Sequence, residues 1–276
     1  MSSFLNKLPV WLKSLVIAFI ILEGGTMTWG LLARTNIRLT PEIPWSGVVM
    51  LVILGLLIKY LGGWGPPEKT KKIRTLWLRL NSISGSSKPR VILSAVLLGF
   101  TLLLFTLLSW QLVSIEFGPL TQIQRIQHLP AWTIATLILT TSMVAGVVEE
   151  VAFRGYLQKP LEDRYGPLSA IILVAVIFTL IHLPGLTITP ALLPIFLLGS
   201  LGWGVLAYLS NSILPGIIAH VALDAVGFFW IWLDNDNAKA LANHSVLETG
   251  FDSLFLWTVG FLLFSLTALT LSFRSL

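Results

Sequence analysis

Residues 147–157 read VVEEVAFRGYL. Two adjacent glutamates, Glu149 and Glu150, close a long apolar run, and Arg154 follows four residues after Glu150. An ionisable side chain at the centre of a membrane helix costs about 2.5–3.5 kcal/mol on insertion scales, so each one asks for a partner or a role. What surrounds these three therefore decides how the chain is read.

The surroundings are apolar throughout. Of 276 residues, 55% are hydrophobic and 11% charged, with a mean hydropathy of +0.85. A soluble domain of this length needs more charge on its surface, so the composition reads as an all-α, polytopic membrane bundle. Apolar windows punctuated by Trp, Pro and Gly give eight segments, near 11–33, 45–62, 91–113, 132–157, 168–183, 191–209, 213–233 and 253–272. Trp11, Trp29, Trp45, Trp64, Trp110 and Trp132 fall near segment ends, where an interfacial aromatic belt would place them. The start carries Lys7 and Lys13 before about twenty apolar residues without a small-residue cleavage site, and reads as a retained first span. No internal repeat is visible.

Charge sets the orientation. The loop 62–90 holds seven basic residues, Lys69, Lys71, Lys72, Arg74, Arg79, Lys88 and Arg90, and is expected on the cytoplasmic side together with the N-terminus. Its middle, KKIRTLWLRL, suits a helix lying on anionic lipid; the flanking spans favour lipid over nucleic acid as the partner. Short loops and the absence of a transit peptide point to a bacterial-type inner membrane. Three regions follow: residues 1–130 with three spans and the basic loop, a core over 131–235, and a last loop and span over 236–276.

The second half concentrates the polar residues. Glu150 and Arg154, at i and i+4, share a helix face and can pair, which leaves Glu149 to face a cavity. The plainer reading is that both acids mark a span end. FTLIH places His182 four residues after Phe178 and shortly before Pro184; alone it reads as a helix end. HVALD places His220 and Asp224 at i and i+4 inside an apolar run, either as a carboxylate-oriented imidazole or as a mutually satisfied packing pair. A hairpin turn at DRYGP puts Glu150 and His182 each fifteen residues from the turn, so both stand ~22 Å along their helices, at equal depth. His220 reaches that depth if the turn protrudes into the cytoplasm. Glu23, in the middle of the first span, has no assigned role. His128 and His244 read as solvated loop residues, and Ser200, Gly202 and Gly204 as small residues for close helix packing.

This inventory suits water activation. The absence of cysteine excludes thiol nucleophiles, thiolate metal sites and disulfides. A glutamate in a low-dielectric site can take a proton from water, and histidines can donate to an oxyanion. Glu149, His182 and His220, with Asp224, also form a credible zinc set, although HExxH spacing is absent. No GxSxG is present, and Ser142 lies seven residues before Glu149, ~10 Å away along the axis.

EEVAFR (149–154) resembles the EExxxR motif of the CAAX-protease and bacteriocin-processing (CPBP) membrane family, FTLIH (178–182) its FxxxH and HVALD (220–224) its HxxxN/D. The three stand in order, each on its own span, over roughly residues 140–230. The resemblance implies an intramembrane endopeptidase, type II CAAX prenyl endopeptidase-like, acting on a membrane protein or lipidated peptide. By it, Glu149 would activate water with His182, His220 and Asp224 would stabilise the oxyanion or hold a metal, and Glu150 and Arg154 would support the site. Asp224 stands where the prenyl endopeptidases more often have Asn, and an ionised Asp cannot donate to an oxyanion. Other readings are a non-catalytic scaffold that keeps the motifs and a proton-coupled transporter, the latter disfavoured by the missing repeat.

Overall fold

The computed structural model describes residues 8–83, 85–113, 123–183, 193–242 and 245–276. Lys7, Pro184 and His244 lie outside them. All regular structure among the described residues is helical: α1 Val10–Leu39, α2 Trp45–Leu61, α3 Lys71–Leu78, α4 Lys88–Leu112, α5 Ala131–Tyr165, α6 Pro167–His182, α7 Leu193–Ser210, α8 Leu214–Leu233, α9 Asn235–Ala242, α10 Val246–Thr249 and α11 Ser253–Arg274. Six of these, α1, α4, α5, α7, α8 and α11, are long and apolar enough to cross a membrane, and the chain is a multi-pass helical membrane protein. The shorter apolar helices α2 and α6 fill the other two expected segments.

α5 is the axis of the bundle. Half of its apolar window is buried inside the protein, against 22% for α1 and α11 and 17% for α8. Its 35 residues change character along the way: α-helical over Ala131–Glu149, π-helical over Glu150–Gln158 and α-helical again over Lys159–Tyr165. All nine residues of the π segment are buried. Such wide turns are rare and concentrate at functional sites. α1 packs on this segment, and α8 on the first half of α5. The α5–α8 contact is close because Gly146 lacks a side chain: a Cβ there would stand 3.0 Å from the Val221 backbone nitrogen.

The expected hairpin turn is present. Gly166 adopts a φ of 83°, a left-handed value that suits glycine, and Pro167 opens α6 with its ring at the first helical position. α6 has 16 residues and rises ~24 Å, short of the ~30 Å hydrocarbon core, so it ends within the bundle and delivers His182 there.

Lipid-type packing holds the periphery. α4 and α11 meet through hydroxyl pairs, Ser94 with Ser272 at 2.7 Å and Thr101 with Ser265 at 2.5 Å, and the Gln111 amide donates to Thr258 at 3.1 Å. The aromatic belt is only partly one. Trp11, Trp64 and Trp132 are exposed, but Trp29 and Trp110 are core residues at 8% and 2% exposure. Trp29 spends its indole N–H on Thr141 Oγ1 at 3.0 Å, and Trp110 stacks on Trp230. A tryptophan near a span end is ambiguous because an interior cavity wall and an interface both suit a large ring with one polar atom.

Candidate active site

The π-helical turn of α5 carries an ion pair without solvent. Arg154 Nη1 stands 3.1 Å from Glu150 Oε1, and both side chains have no exposure. The i,i+4 spacing brings them to one face, and α7 completes the cage: Arg154 Nη2 donates to Ser200 Oγ at 3.1 Å and to the Ser200 carbonyl at 3.3 Å. The guanidinium also lies over the Phe178 ring, 4.9 Å from its centroid. Ser200, expected as a spacer, is therefore also a polar partner.

Glu150 reaches across to α8. His220 Nδ1 lies 3.2 Å from its Oε1. A carboxylate already paired with arginine accepts, so the proton of this bond sits on Nδ1. Gly216, one turn before His220, makes the approach possible: a Cβ there would come within 2.8 Å of Glu150 Oε2. Helical side chains lean toward the N-terminus. His220 thus leans toward Gly216 and Glu150. The expected His220–Asp224 contact is present, with Asp224 Oδ2 3.8 Å from His220 Nε2, and Glu150 adds a closer partner at Nδ1. Glu149 Oε2 faces the same Nε2 at 4.0 Å.

Glu149, His182, His220 and Asp224 all line one cavity of about 340 Å³ between α4, α5, α6, α7 and α8. Glu149 is open to it, with 15% of its side chain accessible, while its neighbour Glu150 is sealed behind. The rest of the lining is largely apolar, with Trp110 and Trp230 on one wall. His182 Nδ1 is held by the Phe178 carbonyl at 2.7 Å, a turn earlier on α6. Since a carbonyl only accepts, that nitrogen carries the hydrogen and Nε2 is left for other partners. α7 clamps both imidazoles: Phe196 stacks on His182 at 4.6 Å, and Trp203 lies parallel to His220 at 5.8 Å and 8°. Phe196, Ser200 and Trp203 share one face of α7 by their i, i+4, i+7 spacing.

The expected metal set, Glu149, His182 and His220 with Asp224, lines this one cavity. Among the described residues, no group of three or more His, Asp or Glu side chains is arranged to hold a metal ion. His220 and His182 each engage Nδ1, on Glu150 and on the Phe178 carbonyl, and each keeps Nε2 for another partner. Glu23 is half-buried and its carboxylate makes no ion pair or hydrogen bond among the described residues, and His128 is exposed.

Two further residues on α5 belong to the same polar line. Gln158 Nε2 donates to the Gly204 carbonyl at 2.9 Å and to Glu162 Oε1 at 2.6 Å, and Glu162 in turn pairs with Arg79 at 3.0 Å. Glu150, Arg154, Gln158 and Glu162 recur every four residues, a polar period that the sequence carries.

No curated protein and no solved structure matches the chain. Residues 130–226, which include every candidate position from Glu149 to Asp224, match the family described as Type II CAAX prenyl endopeptidase Rce1-like.

Proposed function

We propose that the chain is an intramembrane endopeptidase that hydrolyses a peptide bond of a membrane-associated protein or lipidated peptide. The observation that carries the reading is the cavity: one glutamate open to it, two histidines and an aspartate meet inside an apolar bundle, with the second glutamate locked behind them. The family match supports the same reaction class. We place the site in a bacterial-type inner membrane with the N-terminus cytoplasmic.

In this mechanism Glu149 is the general base. Water loses a proton to its carboxylate as the water oxygen bonds to the scissile carbonyl carbon. The same proton then passes to the amide nitrogen as the C–N bond breaks. His182, oriented by the Phe178 carbonyl, presents Nε2 to the water. His220 is fixed by Glu150 at Nδ1 and donates from Nε2 to the oxyanion, with Asp224 beside that nitrogen holding the proton in place. An aspartate that acts through His220 has no need to donate itself, which removes the difficulty of Asp in the usual Asn place.

The test is Glu149→Gln in reconstituted protein with a membrane-anchored, prenylated peptide reporter. Cleavage is expected to fall by about 10²–10⁴, with the thermal unfolding profile unchanged. Full cleavage by that variant would overturn the mechanism. No cleavage by the wild type across lipidated reporters would favour the scaffold reading, which the sealed Glu150–Arg154 pair also suits.

A further inference from the structure

The basic segment between α2 and α4 has no part in the proposed hydrolysis. Its cations fall into two kinds. Arg74 and Arg79 are buried, at 5% and 2% exposure. Arg74 donates to the carbonyls of Tyr60 at 2.6 Å, Trp64 at 3.0 Å and Gly65 at 2.7 Å, closing the end of α2. Arg79, left-handed at φ 53°, ends α3 and reaches Glu162 on α5 and Asn211 beyond α7. The lysines are the opposite: Lys69, Lys71 and Lys72 are all exposed, as is Lys59 in the last turn of α2. Leu76, one turn from Lys72 on the outward face of α3, is 51% exposed.

The inner face of α3 rests on the π turn of α5. Tyr156 donates its hydroxyl to the Arg74 carbonyl at 3.2 Å and meets Trp77 edge-on. A Cβ on Gly155 would stand 2.9 Å from the Trp77 carbonyl oxygen. A short cationic helix thus rests on the π turn through Trp77 and the Arg74 carbonyl, is fastened by its arginines to the end of α2 and to Glu162 beyond the π turn, and turns its lysines and one leucine outward.

We propose that Glu68–Leu80 is a platform for anionic phospholipid headgroups, coupled through α3 to the π turn of the site. The exposed lysines take the lipid phosphates and Leu76 enters the acyl boundary. The charge is complementary, since Glu68 is the sole acid between residues 62 and 83. The platform cannot leave the bilayer surface, because α2 ends at Leu61 and α4 begins at Lys88. A polynucleotide is the poorer occupant: the two arginines, whose planar forks suit its phosphates, are committed inside the protein.

The chain has no cysteine, so Leu76→Cys gives a single site for a polarity-sensitive dye in the full-length protein. It would be read in nanodiscs of phosphatidylcholine and of equimolar phosphatidylcholine and phosphatidylglycerol. The expected result is a blue shift and a several-fold drop in quenching by iodide with the anionic lipid. High salt and the triple change Lys69→Gln, Lys71→Gln and Lys72→Gln should both abolish the difference. Identical spectra and quenching in the two lipids would overturn the platform, as would an equal shift caused by added single-stranded RNA in neutral discs. Coupling is read by amide exchange over 150–158: it should slow several-fold on anionic lipid in the wild type and lose that response in Arg79→Gln. Lipid-independent exchange would overturn the coupling. Neither readout uses cleavage, so the result stands apart from the protease reading.

Discussion

Two buried glutamates of α5, three turns apart, each hold an arginine, and the two pairs are built differently. Glu150–Arg154 closes at 3.1 Å and Glu162–Arg79 at 3.0 Å, with side-chain exposures of 0% and 0% in the first and 6% and 3% in the second. The first is local, i to i+4 on one helix. The second joins residues 83 apart in sequence, bringing the basic loop to the core. The first has His220 as a further partner and stands against the cavity. The second has the amides of Gln158 and Asn211 around it and no histidine. The same chemical unit thus serves once to fix an imidazole that lines the cavity and once to fasten a loop. Its neighbours decide which.

The largest effect is expected from breaking the first pair. Arg154→Met leaves the Glu150 carboxylate buried without its cation, a change that typically costs about 3–5 kcal/mol. Unfolding in mixed micelles measures it. The double variant Arg154→Met with Glu150→Gln should regain most of that stability, because no charge is then stranded, yet cleavage should stay low because His220 loses its anchoring carboxylate. Recovery of cleavage in the double variant would mean that Glu150 serves packing alone.

The second pair should yield less. Arg79→Met also strands a glutamate, but Glu162 keeps the Gln158 amide and lies within the last turn of α5, close to the hairpin. A loss of about 1–3 kcal/mol is expected, the range for a buried polar group left short of one partner. Cleavage should fall far less than for Arg154→Met. An equal loss of cleavage would show that the loop and the site act as one unit, and the contrast between the two pairs would fail.

That contrast also marks what the sequence could disclose. All eight apolar segments are legible, because hydropathy reports on the solvent a helix meets and Trp, Pro and Gly punctuate it. The Glu150–Arg154 contact is legible because helical spacing alone brings the pair together. The His220–Glu150 bond is not: it needs α8 to approach α5 at Gly216, a tertiary event. The same spacing rule does place Asp224 beside His220, but it supplies proximity and not the lean of the imidazole, so Glu150 as the closer partner is missed. Arg79 reads as one more loop cation, because nothing local distinguishes it from Lys71. Trp203 and Phe196 lie in an apolar helix where any large ring would pass for lipid contact. The π turn has no sequence signature here beyond the polar period from Glu150 to Glu162.

A third pair on the same helix separates spacing from energy. Lys159 and Asp163 are also i to i+4 and in contact, but their side chains are 18% and 48% exposed. Water and salt screen such a pair, and holding two long side chains together costs rotamer freedom. A double-mutant cycle with Lys159→Met and Asp163→Asn should give a coupling of about 0.3 kcal/mol, fading further at high salt. Spacing is shared with Glu150–Arg154, so the roughly tenfold difference expected between the two pairs must come from burial and from the charge left behind. A coupling of several kcal/mol at Lys159–Asp163 would mean that this end of α5 is shielded by something beyond this chain, as the lipid proposed for the basic loop would do.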